Sequence, residues 1–405
     1  MEGAGLSVFG APFEFVLFAA TLIGVAVFHH RTLTVALVGV AAIAGYKLAF
    51  TGFDTGAGLP GLGGHLIHEW VVLANLALLL TGFAILTRHF EQSRLPDLAP
   101  DILPDDWKGG LVLLVMVFVV SGFLDNIASA LIGATVASHV YKKKVHIGYL
   151  AAIVAAANGG GAGSVVGDTT TTMMWIAGKS PLDVLHGYVG AFVCLAVFAV
   201  PAARMQQKFQ PIMKRDPGDV HADWWRLAIV VFILTAAVAA NVITNLVAPA
   251  FSDQFPVIGA AVWGAILVAA LLRRTDLKVL RESAKGTLFL ISLVLCASLM
   301  PVKDLPPASW QTAFSLGFIS SVFDNIPLTA LALKQGGYDW GILAYAVGFG
   351  GSLVWFGSSA GVAVSNIFPD AKSVTAWLRA AWWLPPAYVI GFIVALGVLG
   401  WRPPL

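Results

Sequence analysis

Apolar runs of about 17 to 25 residues, each long enough to cross a hydrocarbon core as a helix, recur along the whole chain. They predict spans near 12–29, 32–50, 65–87, 146–177 and 182–203, then near 225–248, 256–272, 286–301, 339–367 and 376–400. Two further apolar stretches, 109–141 and 307–334, are interrupted near their middles by Asp-Asn flanked by Ser and Gly. Non-helical backbone at that depth is tolerated only where it is buried in protein or lines a wet cavity. Both stretches therefore read as re-entrant hairpins, with tips at Asp125-Asn126-Ile127 and Asp324-Asn325-Ile326.

Composition agrees with this pattern. Hydrophobic residues make up 58% of the 405 positions and charged ones 11%, against roughly 25% charged in soluble chains. The fold class expected is an all-α polytopic membrane protein. A net charge of +2 names no partner, and no nucleic acid is expected. The start carries Glu2 and Glu14 without a basic leader, so the first run is expected to stay as a span and not to be cleaved. Cys194 and Cys296 fall inside apolar spans and read as small packing residues.

The spans divide into two halves. Residues 1–204 hold a scaffold over 12–87, the hairpin 109–141 and the span 146–177; residues 205–224 form a linker; residues 225–405 hold the hairpin 307–334 and the span 339–367. Five spans and one hairpin per half set the second half on the opposite side from the first, an inverted-topology repeat. Threading the chain in this way gathers most basic residues, from Arg31 through Lys214 and Arg215 to Arg379, on one face. Only Lys47, Lys179, Lys303, Lys334 and Arg402 lie opposite. The positive-inside rule makes the crowded face cytoplasmic. Both termini are then periplasmic, in a multi-pass protein of the cell inner membrane.

Each hairpin is followed by a glycine-rich interruption of another span. The first runs from Asn158 through Gly163 to Asp168, Thr169 and Thr170, and the second from Gly350 to Gly357, Ser358 and Ser359. Aligning Gly160-Gly161 with Gly350-Gly351 also pairs Gly167 with Gly357, Asp168 with Ser358 and Thr169 with Ser359. Glycine breaks the helix, frees carbonyls and lets backbone approach an ion closely. Close helix packing is the plainer reading of the glycines, and helix capping is the plainer reading of one Asp-Asn. The duplication, with Asp168 and four threonines beside the first break, favours ligation. Carboxylates of Asp125, Asp168 and Asp324, amides of Asn126 and Asn325, and hydroxyls of Thr169, Thr170, Ser358 and Ser359 are hard oxygen ligands suited to Na⁺ or H⁺. No Lys or Arg lies in either tip or either break, which disfavours an anion.

Other features read more simply. A dinucleotide fingerprint in the glycine run is excluded by its setting in a membrane span. His65, His68 and Glu69 form an interfacial polar cluster, Lys142 to Lys144 a topology anchor, and Asp97 to Asp106 a surface connector. The thirteen tryptophans, Trp224-Trp225 and Trp382-Trp383 among them, fit interfacial belts.

With these motifs in hand, the chain resembles the ion transporter superfamily, and within it the NhaD-type sodium/proton antiporters. The carrying residues are Ser121-Gly122-Phe123-Leu124-Asp125-Asn126-Ile127, Gly167-Asp168-Thr169-Thr170-Thr171-Thr172, Asp324-Asn325-Ile326-Pro327 and Gly357-Ser358-Ser359-Ala360-Gly361. The resemblance implies a scaffold part and a transport part in each half, two hairpins facing two broken helices, and elevator-like movement, often in a homodimer. Sodium-coupled dicarboxylate relatives carry Ser-Asn-Thr at the tips, where this chain has Asp125 and Asp324. The function expected is exchange of Na⁺ or Li⁺ for H⁺, with Asp125, Asp168 and Asp324 as Na⁺ ligands, without an enzymatic step or resident cofactor. Coupled transport of citrate or another carboxylate, or arsenite export, is the alternative. A channel would share the polar tips but show no coupling.

Overall fold

The computed structural model describes residues 6–8, 11–28, 31–95, 98, 103–213, 221–248, 251 and 254–403. Glu2, Lys214, Arg215, and residues 97 and 99–102 of the acidic connector lie outside them. Among the described residues, apart from a pair of two-residue strands, Ser7–Val8 (β1) and Ala11–Pro12 (β2), the regular structure is helical.

The helices of the first half are α1 Phe13–Val27, α2 Thr32–Tyr46, α3 Gly58–Gln92, α4 Trp107–Ser121, α5 Asn126–Val140, α6 Ile147–Gly161, α7 Thr169–Ile176, α8 Pro181–Leu185 and α9 Gly187–Phe209. Those of the second are α10 Trp224–Val247, α11 Val257–Leu272, α12 Lys278–Ser298, α13 Trp310–Ser320, α14 Asn325–Gln335, α15 Trp340–Gly350, α16 Ser359–Ile367, α17 Val374–Ala380 and α18 Leu384–Leu399. Both interrupted stretches are helical pairs, α4–α5 and α13–α14, turning at Gly122–Asp125 and Ser321–Asp324. Both glycine-rich spans are broken, between α6 and α7 and between α15 and α16.

Among the described residues, Thr32–Thr51, Gly58–Gln92, Pro181–Phe209 and Trp224–Thr244 are long and apolar enough to cross a membrane unbroken. The first expected hairpin appears as the shorter apolar helices 107–121 and 126–140, and the two expected broken spans contribute the shorter apolar helices 147–161 and 340–350. The span expected at 376–400 is bent by 61° between α17 and α18. Pro385 and Pro386 open α18, and their missing N–H groups cannot continue a preceding helix.

Two compact units each draw on both halves of the chain: the first comprises Met1–Ile85, Phe232–Pro307 and Ile326–Gly336, and the second Leu86–Val231, Ala308–Asn325 and Gly337–Leu405. In the first, α2 packs against α1 and α12. Asn75 Oδ1 accepts from the Gly259 N–H at 2.9 Å and the Trp263 indole donates to the Leu78 carbonyl at 2.9 Å, which ties α3 to α11. His65 pairs with Ser298 Oγ at 3.0 Å.

The second unit is built around α6 and α15. Every residue of α15, and every residue of α6 after Ile147, is buried. Such helices must be apolar all round and small where they cross. The hairpin helix α4 packs on α6, and α13 packs on α15. Equivalent bonds hold the two pairs: Ser121 Oγ donates to the Ala157 carbonyl at 2.6 Å, and Ser320 Oγ to the Val347 carbonyl at 2.7 Å. Gly160 lies against the Phe118 carbonyl and Gly350 against the Gly317 carbonyl, so a side chain at either would force backbone apart. Two more contacts match, because Gly161 meets Gly167 and Asp168 as Gly351 meets Gly357 and Ser358. Helices α9 and α18 pack together at the side, where Tyr345, Phe349 and Tyr388 stack. Cys194 Sγ contacts the Tyr345 hydroxyl there and donates to the Ala387 carbonyl.

The tryptophans divide. Trp224, Trp225 and Trp382 are exposed, as in an interfacial belt, whereas Trp175, Trp340, Trp355, Trp377 and Trp383 are buried. The belt reading is corrected for these five: Trp383 stacks on Phe198 at 6.0 Å, and Trp377 donates to the Ser352 carbonyl at 3.3 Å.

The close backbone crossing makes a stability prediction. Gly350→Ala should lower the unfolding free energy of the purified protein by about 1–3 kcal/mol. Gly264→Ala, where a methyl meets no atom within 4 Å, should be neutral or slightly stabilising in the same thermal melts. Equal melting of the two variants would contradict the crossing.

Candidate functional site

Within the second unit the interruptions bring together the starts of α5, α7 and α16 with Asp324 and Asn325. α5 begins after Asp125, whose Oδ2 accepts from the Ile127 N–H at 3.2 Å. α7 begins after Asp168, whose Oδ1 accepts from the Thr170 N–H at 3.4 Å. α16 begins after Ser358, whose Oγ accepts from the Gly361 N–H at 3.3 Å. α14 begins at Asn325, directly after Asp324. Short polar side chains cap helices because their oxygens satisfy otherwise orphaned N–H groups. Capping therefore accounts for part of each motif.

Capping does not account for the rest. Asp168 is 2% exposed, and both hairpin tips reach it. Asn126 Nδ2 donates to its Oδ1 at 3.2 Å, Asn325 Nδ2 to its Oδ2 at 3.3 Å, and Thr170 Oγ1 to the same Oδ2 at 2.7 Å. Asn158, fully buried in the last turns of α6, forms a second junction. Its Oδ1 accepts from Asn126 Nδ2 at 3.1 Å, and its Nδ2 donates to Ser352 Oγ at 2.9 Å and Ser358 Oγ at 3.0 Å. Asp324 Oδ2 accepts from Ser359 Oγ at 3.0 Å. One network thus joins Asn126, Asn158, Asp168, Thr170, Asn325, Ser352 and Ser358.

Other expected residues are placed differently. Asp125 is half-buried in its own cap. Thr169 is buried as the first residue of α7. Gly163 lies against the ring of Tyr188, and Gly357 against the carbonyls of Ser321 and Gly351, so both serve close packing. The three acids do not form one cluster: among the described residues, no group of three His, Cys, Asp or Glu side chains is arranged to hold a metal ion. A cation at Asp168 would draw its remaining ligands from amide, hydroxyl and carbonyl oxygens.

Sequence reasoning missed Ser352, although it directly follows Gly350-Gly351. It also missed that Thr171 and Thr172 fasten the break, donating to the Ser164 carbonyl at 2.6 Å and the Val165 carbonyl at 2.9 Å. The two halves differ where chemistry is concentrated. In the repeat alignment Asp168 faces Ser358 and Asn158 faces Gly348. A methyl at Gly348 would lie 3.5 Å from Asp168 Oδ2. The centre therefore has one deeply buried carboxylate, with no symmetric partner.

Residues 15–350 match the citrate transporter family, CitMHS. The chain belongs to that family. A comparison with curated proteins gave no match. The CitMHS match covers both hairpins, the whole first broken helix and α15 of the second. It makes the chain a multi-pass membrane transporter of the ion transporter superfamily, without singling out the NhaD-type branch.

Asn158 gives a direct test of the network. Side-chain hydrogen bonds inside membrane proteins average about 0.6 kcal/mol and reach roughly 1.7 kcal/mol. Asn158→Ala removes three such bonds and should lower unfolding free energy by about 2 kcal/mol, read from unfolding of the detergent-solubilised protein. An unchanged transition would show that the junction does not hold the breaks together.

Proposed function

We propose that this CitMHS-family chain is a cation-coupled secondary transporter of the cell inner membrane, carrying citrate or a related carboxylate with Na⁺ or H⁺ as the coupling ion. The observation that carries this reading is the buried Asp168 carboxylate, bonded to both hairpin tips where helices α5, α7, α14 and α16 begin. A helix start carries roughly half a positive charge. The chain offers no Lys or Arg between 109 and 141, 145 and 178, 304 and 333, or 335 and 371. Helix starts and a bound cation are thus the available positive partners for an anionic cargo, as in other discontinuous-helix transporters.

Coupling follows from charge. With Asp168 ionised and the cation absent, a carboxylate cargo meets a like charge. A Na⁺ or H⁺ on Asp168 cancels that charge and leaves the helix starts to hold the cargo. The matching contacts at Ser121 and Ser320 and at Gly160 and Gly350 support an inverted repeat, with alternating access by elevator-like movement. The charge count supports periplasmic termini.

A second reading is exchange of Na⁺ or Li⁺ for H⁺ at Asp168 with Asp125 and Asp324 nearby and no organic cargo. It is favoured by the three carboxylates and the lack of a basic side chain in tips and breaks.

Proteoliposomes distinguish these readings. An inward Na⁺ or H⁺ gradient should drive labelled citrate uptake, and Asp168→Asn should reduce it at least tenfold. Sodium-driven proton movement without citrate dependence would favour exchange. Neither flux, or full citrate uptake by Asp168→Asn, would reject the coupling role of Asp168.

A further inference from the structure

A polar cavity of about 820 Å³ lies wholly within the first unit, lined in part by Glu14, Lys47, Asp54, Lys303 and Lys334. Three of the five basic residues that the charge count sets on the sparse face thus meet at one cavity. α2 passes into a single turn of π-helix over Lys47–Thr51, followed by Gly52 at φ 74°. Such turns often mark functional positions. This one brings Lys47 and Thr51 to the cavity wall.

Most charged groups on that wall are already engaged. Thr51 Oγ1 donates to Glu14 Oε1 at 2.7 Å. Lys334 Nζ donates to the Ser298 and Met300 carbonyls at 2.5 and 2.7 Å, and pairs with Asp54 at 3.2 Å. Lys47 differs. The residue is 7% exposed, its Nζ lies 5.7 Å from the centre of the Phe53 ring, and among the described residues that Nζ makes no hydrogen bond or ion pair. A buried ammonium costs several kcal/mol, and a cation–π contact returns only about 0.5–2 kcal/mol. Among the described lining residues three ammonium groups face two carboxylates, a net positive set.

We propose that this cavity is an oxyanion site, with Lys47 as its buried anchor and the exposed Lys303 supplying a second charge. The ligand is either a free solute with carboxylate or phosphate oxygens, or the phosphate of an anionic lipid headgroup. The site stands on residues separate from the Asp168 network, so it does not depend on what that network carries.

The test uses the full chain in phosphatidylcholine nanodiscs, titrated with inorganic phosphate and with citrate, and in nanodiscs containing phosphatidylglycerol, with retained lipid counted by native mass spectrometry. Wild type and Asp168→Asn should bind phosphate or citrate, or retain phosphatidylglycerol. Lys47→Met should weaken that binding at least tenfold, and Lys47→Arg should preserve it and report correct folding. Binding of the soluble probes identifies a solute site; retention of phosphatidylglycerol that excludes them identifies a lipid site. Equal behaviour of Lys47→Met and wild type toward all three probes would overturn the proposal.

Discussion

A carboxylate sealed inside apolar helices is stable only if every oxygen finds a donor or a cation, because desolvation is not otherwise offset. At Asp168 that requirement organises the second unit. Its donors come from the tip of the first hairpin, the tip of the second, and the helix it caps itself. The two tips lie almost two hundred residues apart in sequence and share one acceptor. Whatever changes the charge on Asp168 changes what both tips are bonded to.

The surrounding packing makes this arrangement possible. Both tips must be brought in close, and the glycine contacts of α6 with α4 and of α15 with α13 allow backbone to meet backbone there. Ser121 and Ser320 then fasten each hairpin to a carbonyl of the broken helix beside it. Asn158 links the first tip to the second break through Ser352 and Ser358. Repetition gives the frame, and the departures from repetition, Asp168 against Ser358 and Asn158 against Gly348, give the chemistry.

Much of this was legible in the chain because it rests on cost. Acids within apolar runs are expensive, so Asp125 and Asp324 marked the hairpin turns, and glycine runs marked both breaks. What could not be read was which acid would be central. Asp125 and Asp324 share an Asp-Asn-Ile tip and Asp168 precedes four threonines, but only the fold shows that Asp168 receives both asparagines. Asn158 was legible as the start of the first glycine-rich break, whereas Ser352 carried no distinguishing signal, since a lone hydroxyl in an apolar helix is often satisfied by its own backbone. The belt reading failed for Trp377 and Trp383 for a related reason: an indole near a helix end can face lipid or protein, and hydropathy is blind to the choice. Lys47, Lys303 and Lys334 shared a face by charge count, but their common cavity depends on a π-turn that has no clear sequence signature.

The central claim is that the two tips are coupled through a single carboxylate. It is tested most directly by Na⁺ titration calorimetry on a mutant cycle of Asn126→Ala and Asn325→Ala, each made with Asp168 present and with Asp168→Asn. The account predicts that either alanine changes Na⁺ affinity severalfold when Asp168 is present, that the two effects are non-additive, and that both vanish in the Asp168→Asn background. Additive effects that persist without the Asp168 carboxylate would contradict it.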